Sequence, residues 1–313
     1  MRSRSLPSLL FGLVLTLAAL TLAAIGLAAH LRALGRLEML ADILAMPLLA
    51  GSGVVLLLAL WRRAAAPLVL ATVAVGLLTT ALLPAWRGDI SDRPADFTVY
   101  MANLWARNED TAAAQASVQA ADADIVVLIE LGDAQAEQLD QLLAGYPHRV
   151  SIPRVDRPSG AARSLIASRH PMRPLRGPSD GLSVVGAVID LPSGPVTVLG
   201  AHLTRPWPFV MHGGQIWQSR QLARRIEAVE GPLVLVGDFN AVPHGRVLSS
   251  LESETGLTVA PAVWGTWPAP LPAPLRISID NALVSQELAV TRRSLGAPTG
   301  SDHRPIVIGL ARR

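Results

Sequence analysis

Three long uncharged stretches in the first third of the chain constrain its fold most strongly. They cover residues 6–29, 43–61 and 64–86, which is 24, 19 and 23 residues. A helix needs about 20 apolar residues to cross the hydrocarbon core of a bilayer. A helix packed on a soluble core usually keeps a polar face, and a cleaved signal peptide has a shorter apolar segment. The pattern therefore predicts three transmembrane helices.

Arginines in the short flanks predict the orientation of these helices. Those near the first and third stretches are Arg2, Arg4, Arg62 and Arg63, and those between the first and second are Arg32 and Arg36. Positive flanks remain on the cytoplasmic side of a membrane. The bias favours an amino terminus inside the cell. After three spans, the rest of the chain then lies outside the cytoplasm. We therefore expect an integral protein of a bacterial inner or plasma membrane with an extracytoplasmic domain.

The charge balance of the remainder argues against a protein that grips long nucleic acid. Residues 95–313 carry 19 arginines and 20 acidic residues, so this part is nearly neutral although the whole chain has a net charge of +3. Nucleic-acid-binding proteins usually present a strongly basic face. The chain also contains no cysteine, which excludes disulfides and thiolate metal sites.

One tetrapeptide, Gly237-Asp238-Phe239-Asn240, stands directly after the apolar run 233–236. Such a run is typical of a strand buried on both faces, and ligands bind at strand carboxyl ends in α/β sheets. Residues two apart on an extended segment share a face, so Asp238 and Asn240 are expected to reach one ligand together. A simple turn is the alternative, because Asp and Asn are common turn formers.

Polar residues of the same kinds flank five other strand candidates. The runs 97–102, 125–129 and 196–201 lead to Asn103, Glu130 and His202, the run 276–279 leads to Asp280, and the pair Asp302-His303 precedes 306–310. A single polar residue beside a strand is usually structural, since polar residues favour the surface. Repetition at six positions instead indicates a shared site.

In this order the residues resemble the endonuclease/exonuclease/phosphatase family, metal-dependent phosphoesterases with a pancreatic deoxyribonuclease-like fold. The most specific matches are the Gly-Asp-Phe-Asn tetrapeptide and Ser301-Asp302-His303-Arg304-Pro305, and the resemblance runs over residues 95–313. It implies an α+β four-layer sandwich, two packed mixed β-sheets flanked by helices, preceded by the bundle of three transmembrane helices. We accordingly divide the chain into an anchor (1–86), a linker (87–95) and a catalytic domain (96–313).

The resemblance also implies a role for each residue. The metal ligands are Glu130, Asn103 and Asp302, for Mg²⁺ or Mn²⁺. The catalytic residues are His303 as general base, Asp280 as its orienting partner, Asp238 to orient water or protonate the leaving oxygen, Asn240 to hold a phosphate oxygen, and His202 to stabilise transition-state charge. The number of metal ions is left open, and it decides whether Asp238 and Asn240 are ligands as well.

The expected function is that of a membrane-anchored, divalent-metal-dependent phosphoesterase, which hydrolyses a phosphodiester or phosphomonoester by in-line attack of an activated water. A nonspecific nuclease of the same fold is the first alternative, and a catalytically silent membrane scaffold is the second. The substrate is a lipid headgroup, a nucleotide or a nucleic acid. The lipid bilayer is the other expected partner, and no protein partner is inferred.

Seven arginines between residues 149 and 176 form the most basic stretch of this domain. Guanidinium groups suit phosphate oxygens, so one interpretation is a phosphate-binding rim. The other is a solvated surface stiffened by prolines, which we favour because charge runs are usually solvated.

Overall fold

Three apolar helices make up the amino-terminal part of the protein. The computed structural model describes residues 6–31, 38–86, 88–152, 163–175, 182–206 and 212–313. The helices are α1 (Leu6–His30), α2 (Glu38–Arg62) and α3 (Ala65–Trp86). All three are long and apolar enough to cross a membrane. The chain divides into two compact units, Met1–Pro84 and Ala85–Arg313.

One polar contact sets the relative direction of the first two helices. Nη2 of Arg62, the last residue of α2, donates to Ser8 Oγ in the first turn of α1 at 2.7 Å. The Arg62 guanidinium also lies 5.1 Å from the centre of the Phe11 ring. The start of α1 and the end of α2 therefore lie at the same end of the pair. Elsewhere in α1, large apolar side chains such as Leu13 and Leu17 are exposed, as expected for a lipid-facing helix.

In its described residues, the second unit contains twelve strands, which form its framework. They are β1 (Phe97–Asn103), β2 (Ile125–Ile129), β3 (His148–Ile152), β4 (Ser164–Ser168), β5 (Met172–Pro174), β6 (Ser183–Leu191), β7 (Gly194–His202), β8 (Leu233–Asp238), β9 (Thr258–Val259), β10 (Asp280–Val284), β11 (Leu288–Leu295) and β12 (Ile306–Arg312). They form two six-stranded sheets, in the orders β11-β12-β1-β2-β4-β3 and β5-β6-β7-β8-β10-β9. The pairs β1/β2 and β7/β8 are parallel and the other pairs are antiparallel.

The two faces of β1 belong to two different cores. Val99 and Met101 lie in the large apolar cluster shared by both sheets, whereas Tyr100 and Ala102 lie in a second cluster that includes helix residues. Successive side chains of a strand point to opposite faces. Both faces of β1 are therefore covered, which explains why its sequence is continuously apolar.

Helices cover the sheets on their outer faces. They are α4 (Thr111–Ala121), α5 (Asp133–Glu137), α6 (Leu139–Leu142), α7 (His212–Glu227) and α8 (Arg246–Thr255). Ala114 and Val118 of α4 and Leu142 of α6 pack in the same cluster as Tyr100. Helices α7 and α8 pack against each other. The four-layer α+β sandwich predicted from the sequence, two mixed sheets flanked by helices, is confirmed.

The basic stretch 149–176 is bound into the domain by acidic partners at its described positions. The ion pairs are Arg149 with Asp140, Arg163 with Asp133, Arg169 with Asp122, and Arg173 with Asp190. Arg163 is also almost completely buried. Arg154, Arg157 and Arg176 lie outside the described residues. Because the described guanidinium groups face carboxylates, the geometry argues against a phosphate-binding rim, and the burial of Arg163 differs from the solvated surface that we expected.

One predicted strand is wrong. Residues 276–279 were expected to form a strand leading to Asp280, but β10 begins at Asp280 itself. Ile277 forms only an isolated bridge with Trp267, so residues 276–279 do not form a strand of the sheet.

Gly237 permits the close approach of β7 and β8 immediately before Asp238. A Cβ atom at this position would lie 1.9 Å from the carbonyl oxygen of Ala201, a backbone atom that has no room to move. We expect Gly237→Ala to lower the free energy of unfolding by about 3 kcal/mol or more, the scale of severe steric substitutions. Gly213→Ala in α7 is the matched control, because a Cβ there meets nothing within 4 Å. Denaturant unfolding of the two variants compares them, and equal stabilities would contradict the expectation.

Candidate active site

The strand directions bring the predicted site residues to one edge of the sandwich. The carboxyl ends of β1 and β2 lie side by side, as do those of β7 and β8, because each pair is parallel. Strands β10 and β12 run antiparallel to β8 and β1, so their amino ends reach the same edge. In the β8/β10 register Asp280 stands opposite Asp238, and in the β7/β8 register His202 stands opposite Asp238.

Asp238 lies at the centre of the polar contacts at this edge. Its Oδ2 accepts a hydrogen bond from Asn103 Nδ2 at 3.0 Å, and its Oδ1 accepts one from the Asn240 backbone N–H at 2.8 Å. Only 2% of its surface is exposed. Burial, followed by the charge of Asp280, raises the pKa of Asp238 from 3.8 to about 6, against the opposing effect of nearby imidazoles. Asp238 therefore exchanges protons closer to neutral pH than an ordinary aspartate does.

Asn103, Glu130 and His202 form one half of the site around Asp238. Asn103 Nδ2 also donates to Glu130 Oε1 at 3.0 Å, while its Oδ1 accepts from the Trp105 backbone N–H at 2.9 Å. His202 Nε2 lies 3.5 Å from Glu130 Oε1 and 3.8 Å from Asp238 Oδ2. The Asn103 amide therefore presents its NH₂ group to the carboxylates. Metal ligation by Asn103 requires either the second lone pair of Oδ1 or an amide turned over.

His303 and Asp280 form the other half. His303 Nδ1 lies 2.8 Å from Asp280 Oδ2, and its Nε2 lies 3.9 Å from both Asp238 Oδ2 and Asp302 Oδ1. Burial alone lowers the pKa of His303, but the charges of Asp280, Asp238 and Asp302 outweigh it and raise the pKa from 6.5 to about 10. With the protein groups alone, the ring is therefore an imidazolium at neutral pH. The pKa is raised because three carboxylates converge on one ring.

Backbone strain accompanies the polar cluster. Glu130 and Asn240 adopt left-handed conformations with φ of 51° and 47°, and Trp105, next but one to Asn103, has a φ of 54°. Residues other than glycine rarely occupy this region, and each instance costs of order 1 kcal/mol or more. The Asn240 side chain offsets part of this cost by donating from Nδ2 to the Leu203 carbonyl at 2.9 Å.

The donor set at this edge suits a hard divalent cation. Two groups of three side chains place their ligand atoms within 4.8 Å of one another, Glu130 with His202 and Asp238, and Asp238 with Asp280 and His303. Oδ1 of Asp280 is buried and has no hydrogen-bond partner in the described part of the chain. Carboxylate oxygens in this number are what Mg²⁺ and Mn²⁺ prefer. Asp238 belongs to both groups.

Asp302, the third predicted ligand, belongs to neither of these groups. Its Oδ2 accepts a hydrogen bond from the Trp267 indole N–H at 2.9 Å, and its Oδ1 is buried without a hydrogen-bond partner among the residues described. The structure thus brings Asn103 and Glu130 into direct contact and places Asp302 beside His303. The assignment of these three residues as the ligand set stays a prediction.

Several supporting residues of the site were not identified from the sequence. Gln215 of α7 donates from Nε2 to the carbonyls of Phe239 and Asn240, at 2.9 Å each. Asn281 donates to the Ala241 carbonyl, and the partly buried Arg293 donates to the Asp280 carbonyl at 2.9 Å. Trp267 holds Asp302. These side chains bind backbone or partners distant in sequence, so no local motif marks them.

The raised pKa of His303 predicts a pH-dependent stability. A base whose pKa is higher in the folded state contributes stability that is fully present below its unfolded value, near 6.5, and that is lost as pH rises through 10. With a chelator present, we expect the free energy of unfolding to fall between pH 7 and 10, and to fall less in His303→Gln. His148→Gln, on edge strand β3, is the matched control. Denaturant titrations across this range measure the slopes, and identical slopes in all three proteins would contradict the prediction.

Comparisons with known proteins agree with this architecture. The model of the endonuclease/exonuclease/phosphatase family matches residues 99–303. A search of curated protein sequences found no significant match. Among solved structures, an endonuclease/exonuclease/phosphatase from Beutenbergia cavernae is 24% identical with a TM-score of 0.55, covering 70% of this chain and 72% of that one.

Two further structures share the fold at lower identity. The mannosyl-6-phosphatase of Bacteroides thetaiotaomicron is 18% identical with a TM-score of 0.54, over 69% of this chain and 99% of its own. The catalytic domain of human Nocturnin, solved with a sulfate anion, is 18% identical with a TM-score of 0.56, over 74% and 99%. The family model covers well over half of the chain, with the strand-end residues inside its limits. This chain belongs to the endonuclease/exonuclease/phosphatase family, whose members are hydrolases that act on phosphoesters.

Proposed function

We propose that the protein is a membrane-anchored phosphoesterase that depends on a divalent metal ion and hydrolyses a phosphodiester or a phosphomonoester. The observation that carries the proposal is the meeting of two different groups at Asp238. One group is the Asp280–His303 pair, joined at 2.8 Å, and the other contains Glu130 and His202. An acid–imidazole pair beside a carboxylate-rich cluster is suited to activating water against an anionic ester.

The proposed ligands of the cation begin with Glu130 and Asn103, which are joined by a hydrogen bond, and Asp238 lies close to both. When bound, Mg²⁺ or Mn²⁺ neutralises negative charge on the phosphoryl group and on the leaving oxygen. The four acids of this edge would otherwise repel a phosphate. Asp302 completes the proposed ligand set through Oδ1, the oxygen that Trp267 leaves uncommitted.

His303 is the proposed general base. Asp280 accepts the Nδ1–H, which leaves Nε2 with its lone pair directed away from that partner and able to take a proton from water. The ring works only when it is neutral, and nearby positive charge lowers an imidazole pKa. A cation bound beside these carboxylates would offset the charges of Asp280, Asp238 and Asp302 and so lower the pKa of His303 toward neutrality.

The remaining polar residues are assigned to the phosphoryl group. Asp238, with its pKa raised to about 6, can orient the water or give a proton to the leaving oxygen. We assign Asn240, whose Nδ2 keeps one N–H beyond its bond to Leu203, to hold a nonbridging oxygen. We assign His202, partly exposed beside Glu130, to stabilise the transition-state charge. These roles extend to this chain the assignments that the family resemblance implies.

The substrate class follows from charge and tethering. A nearly neutral domain on a membrane anchor favours a small or membrane-borne phosphoester over duplex DNA. The nuclease alternative requires an affinity for polynucleotides that falls steeply with salt. Assays of the purified protein with Mg²⁺ against DNA, RNA, phospholipid headgroups and small phosphomonoesters separate these classes. The silent-scaffold alternative requires no turnover of any of them, although every proposed site residue is present.

Membrane anchoring rests on the length and apolar surface of α1, α2 and α3. The contact between Arg62 and Ser8 joins the end of α2 to the start of α1, which supports one common side for the arginines that flank these two positions in the sequence. Positive flanks on one side favour that side as cytoplasmic. After α3, the catalytic domain then lies outside the cytoplasm.

We expect His303→Ala and Asp238→Asn to remain folded and to lose about 10²-fold or more in kcat, the scale of a lost acid–base group. The matched controls are His148→Ala on β3 and Asp140→Asn, whose side chain is 97% exposed on α6. Chelation with EDTA should abolish activity, and added Mg²⁺ should restore it. Hydrolysis of bis(p-nitrophenyl) phosphate and p-nitrophenyl phosphate measures all of these, and full activity in EDTA or in either variant would refute the mechanism.

The orientation predicts the behaviour of reporter fusions. Alkaline phosphatase joined after Arg313 should be active, because that reporter folds only outside the cytoplasm. The same reporter joined after Arg62 should be inactive and serves as the matched control. Expressed fusions with the opposite activities would place the catalytic domain in the cytoplasm.

A further inference from the structure

Four large apolar side chains of the loop between β9 and β10 are exposed. They are Val263, Trp264, Leu271 and Leu275, which are 50%, 48%, 39% and 39% exposed and are together termed the 263–275 surface. The chain has no charged residue between Glu254 and Arg276. Solvated loops are normally polar, so a long uncharged loop with exposed large side chains indicates a surface made for an apolar environment.

The same loop contacts Ala85 and Gly88, at the start of the second compact unit, where the chain leaves α3. The Ala262 backbone N–H donates to the carbonyl of Ala85, the penultimate residue of α3, at 2.8 Å. Pro261 packs so closely on the following segment that a Cβ at Gly88 would lie 2.3 Å from its Cγ. Ile90, two residues further, is itself 53% exposed. Ile90, Val263 and Trp264 are therefore exposed apolar residues that lie one or two positions along the chain from these contacts.

We propose that the 263–275 surface inserts into the interfacial region of the lipid bilayer. The proposal rests on the membrane anchoring proposed above, because a bilayer crossed by α3 ends close to Ala85. Residues 263 and 264, next to a residue bonded to Ala85, then lie at the headgroup level. Tryptophan favours this region, since its ring is apolar and its indole N–H stays hydrated.

The loop also joins this surface to the catalytic edge. Trp267 donates to Asp302 Oδ2, and the Ala269 N–H donates to the Asp302 carbonyl at 2.7 Å. The Arg304 N–H donates to the Thr266 carbonyl at 2.9 Å, on the other side of His303. Insertion of the loop therefore holds the segment with Asp302 and His303 close to the membrane surface. A phosphoester carried by a lipid then reaches the site while the lipid stays in the bilayer.

Because the chain contains no cysteine, one introduced cysteine carries a fluorophore at a known position, and the depth of that position in the bilayer can be measured. In the full-length protein, single-cysteine variants Trp264→Cys and Val263→Cys carry one bimane fluorophore each, in vesicles of phosphatidylethanolamine and phosphatidylglycerol. Doxyl-labelled lipid quenches fluorophores inside the bilayer, and aqueous iodide quenches those in water. Gln119→Cys, exposed on α4, is the matched control, and Leu20→Cys in α1 reports the anchor itself.

We expect doxyl-lipid quenching at positions 264, 263 and 20, and iodide quenching at 119. Quenching by iodide at 263 and 264, with position 20 still quenched by lipid, would overturn the loop insertion and leave the anchor intact. Protection of 263 and 264 from both quenchers would mean a protein contact and would also overturn it. Lack of lipid quenching at position 20 would refute the anchor and the loop insertion together. The circular dichroism of each variant confirms folding, and the two adjacent positions must agree.

A second measurement uses turnover. Val263→Ser combined with Trp264→Ser should lower hydrolysis of a vesicle-borne phosphodiester several-fold while leaving hydrolysis of soluble bis(p-nitrophenyl) phosphate unchanged. Equal rates on both substrates, relative to the unmodified protein, would contradict a role for the surface in membrane contact. Loss of turnover on both substrates would indicate damage to the catalytic residues through Trp267. It would contradict the proposal that the 263–275 surface acts through membrane contact alone.

Discussion

The hydrogen bond between Asn103 and Asp238 joins the two sheets at the edge where the site lies. Asn103 ends β1 in one sheet and Asp238 ends β8 in the other, and both side chains are almost completely buried. A buried carboxylate without partners would be very costly, so each oxygen must be satisfied. The Asn103 amide and the Asn240 N–H do this while leaving the imidazoles of His202 and His303 within 4 Å. The other site residues lie around these two side chains.

This edge is built at the expense of stability. Acids crowd a region of low exposure, one of them has its pKa raised by burial, and two site residues occupy strained left-handed conformations. Natural proteins retain such features mainly where binding or catalysis requires them. The apolar cluster between the sheets offsets the cost, since its residues are almost all fully buried. The core and the site thus have opposite effects on the free energy of folding.

The sequence predicted the parts that leave a local pattern. Continuous apolar runs located the strands, and the polar residues beside them located Asn103, Glu130, His202, Asp238, Asp280 and His303 at one edge. The pattern did not reveal Gln215 or Arg293, because each acts on a backbone carbonyl far away in the chain. It also misjudged the start of β10, which depends on a bridge between Ile277 and Trp267. The raised pKa of His303 depends on how many carboxylates converge in space, which no local pattern shows.

The strand orders have a consequence for how the site is assembled. Written from opposite ends, the two sheets match strand for strand, with parallel pairs β1/β2 and β8/β7 in corresponding places. Asn103 then corresponds to Asp238, Glu130 to His202, and the segment before β12 to the start of β10. Each sheet thus supplies half of the polar groups, and neither contains a complete set. Catalytic turnover therefore requires both sheets to be folded, because partial unfolding of either sheet separates the site residues.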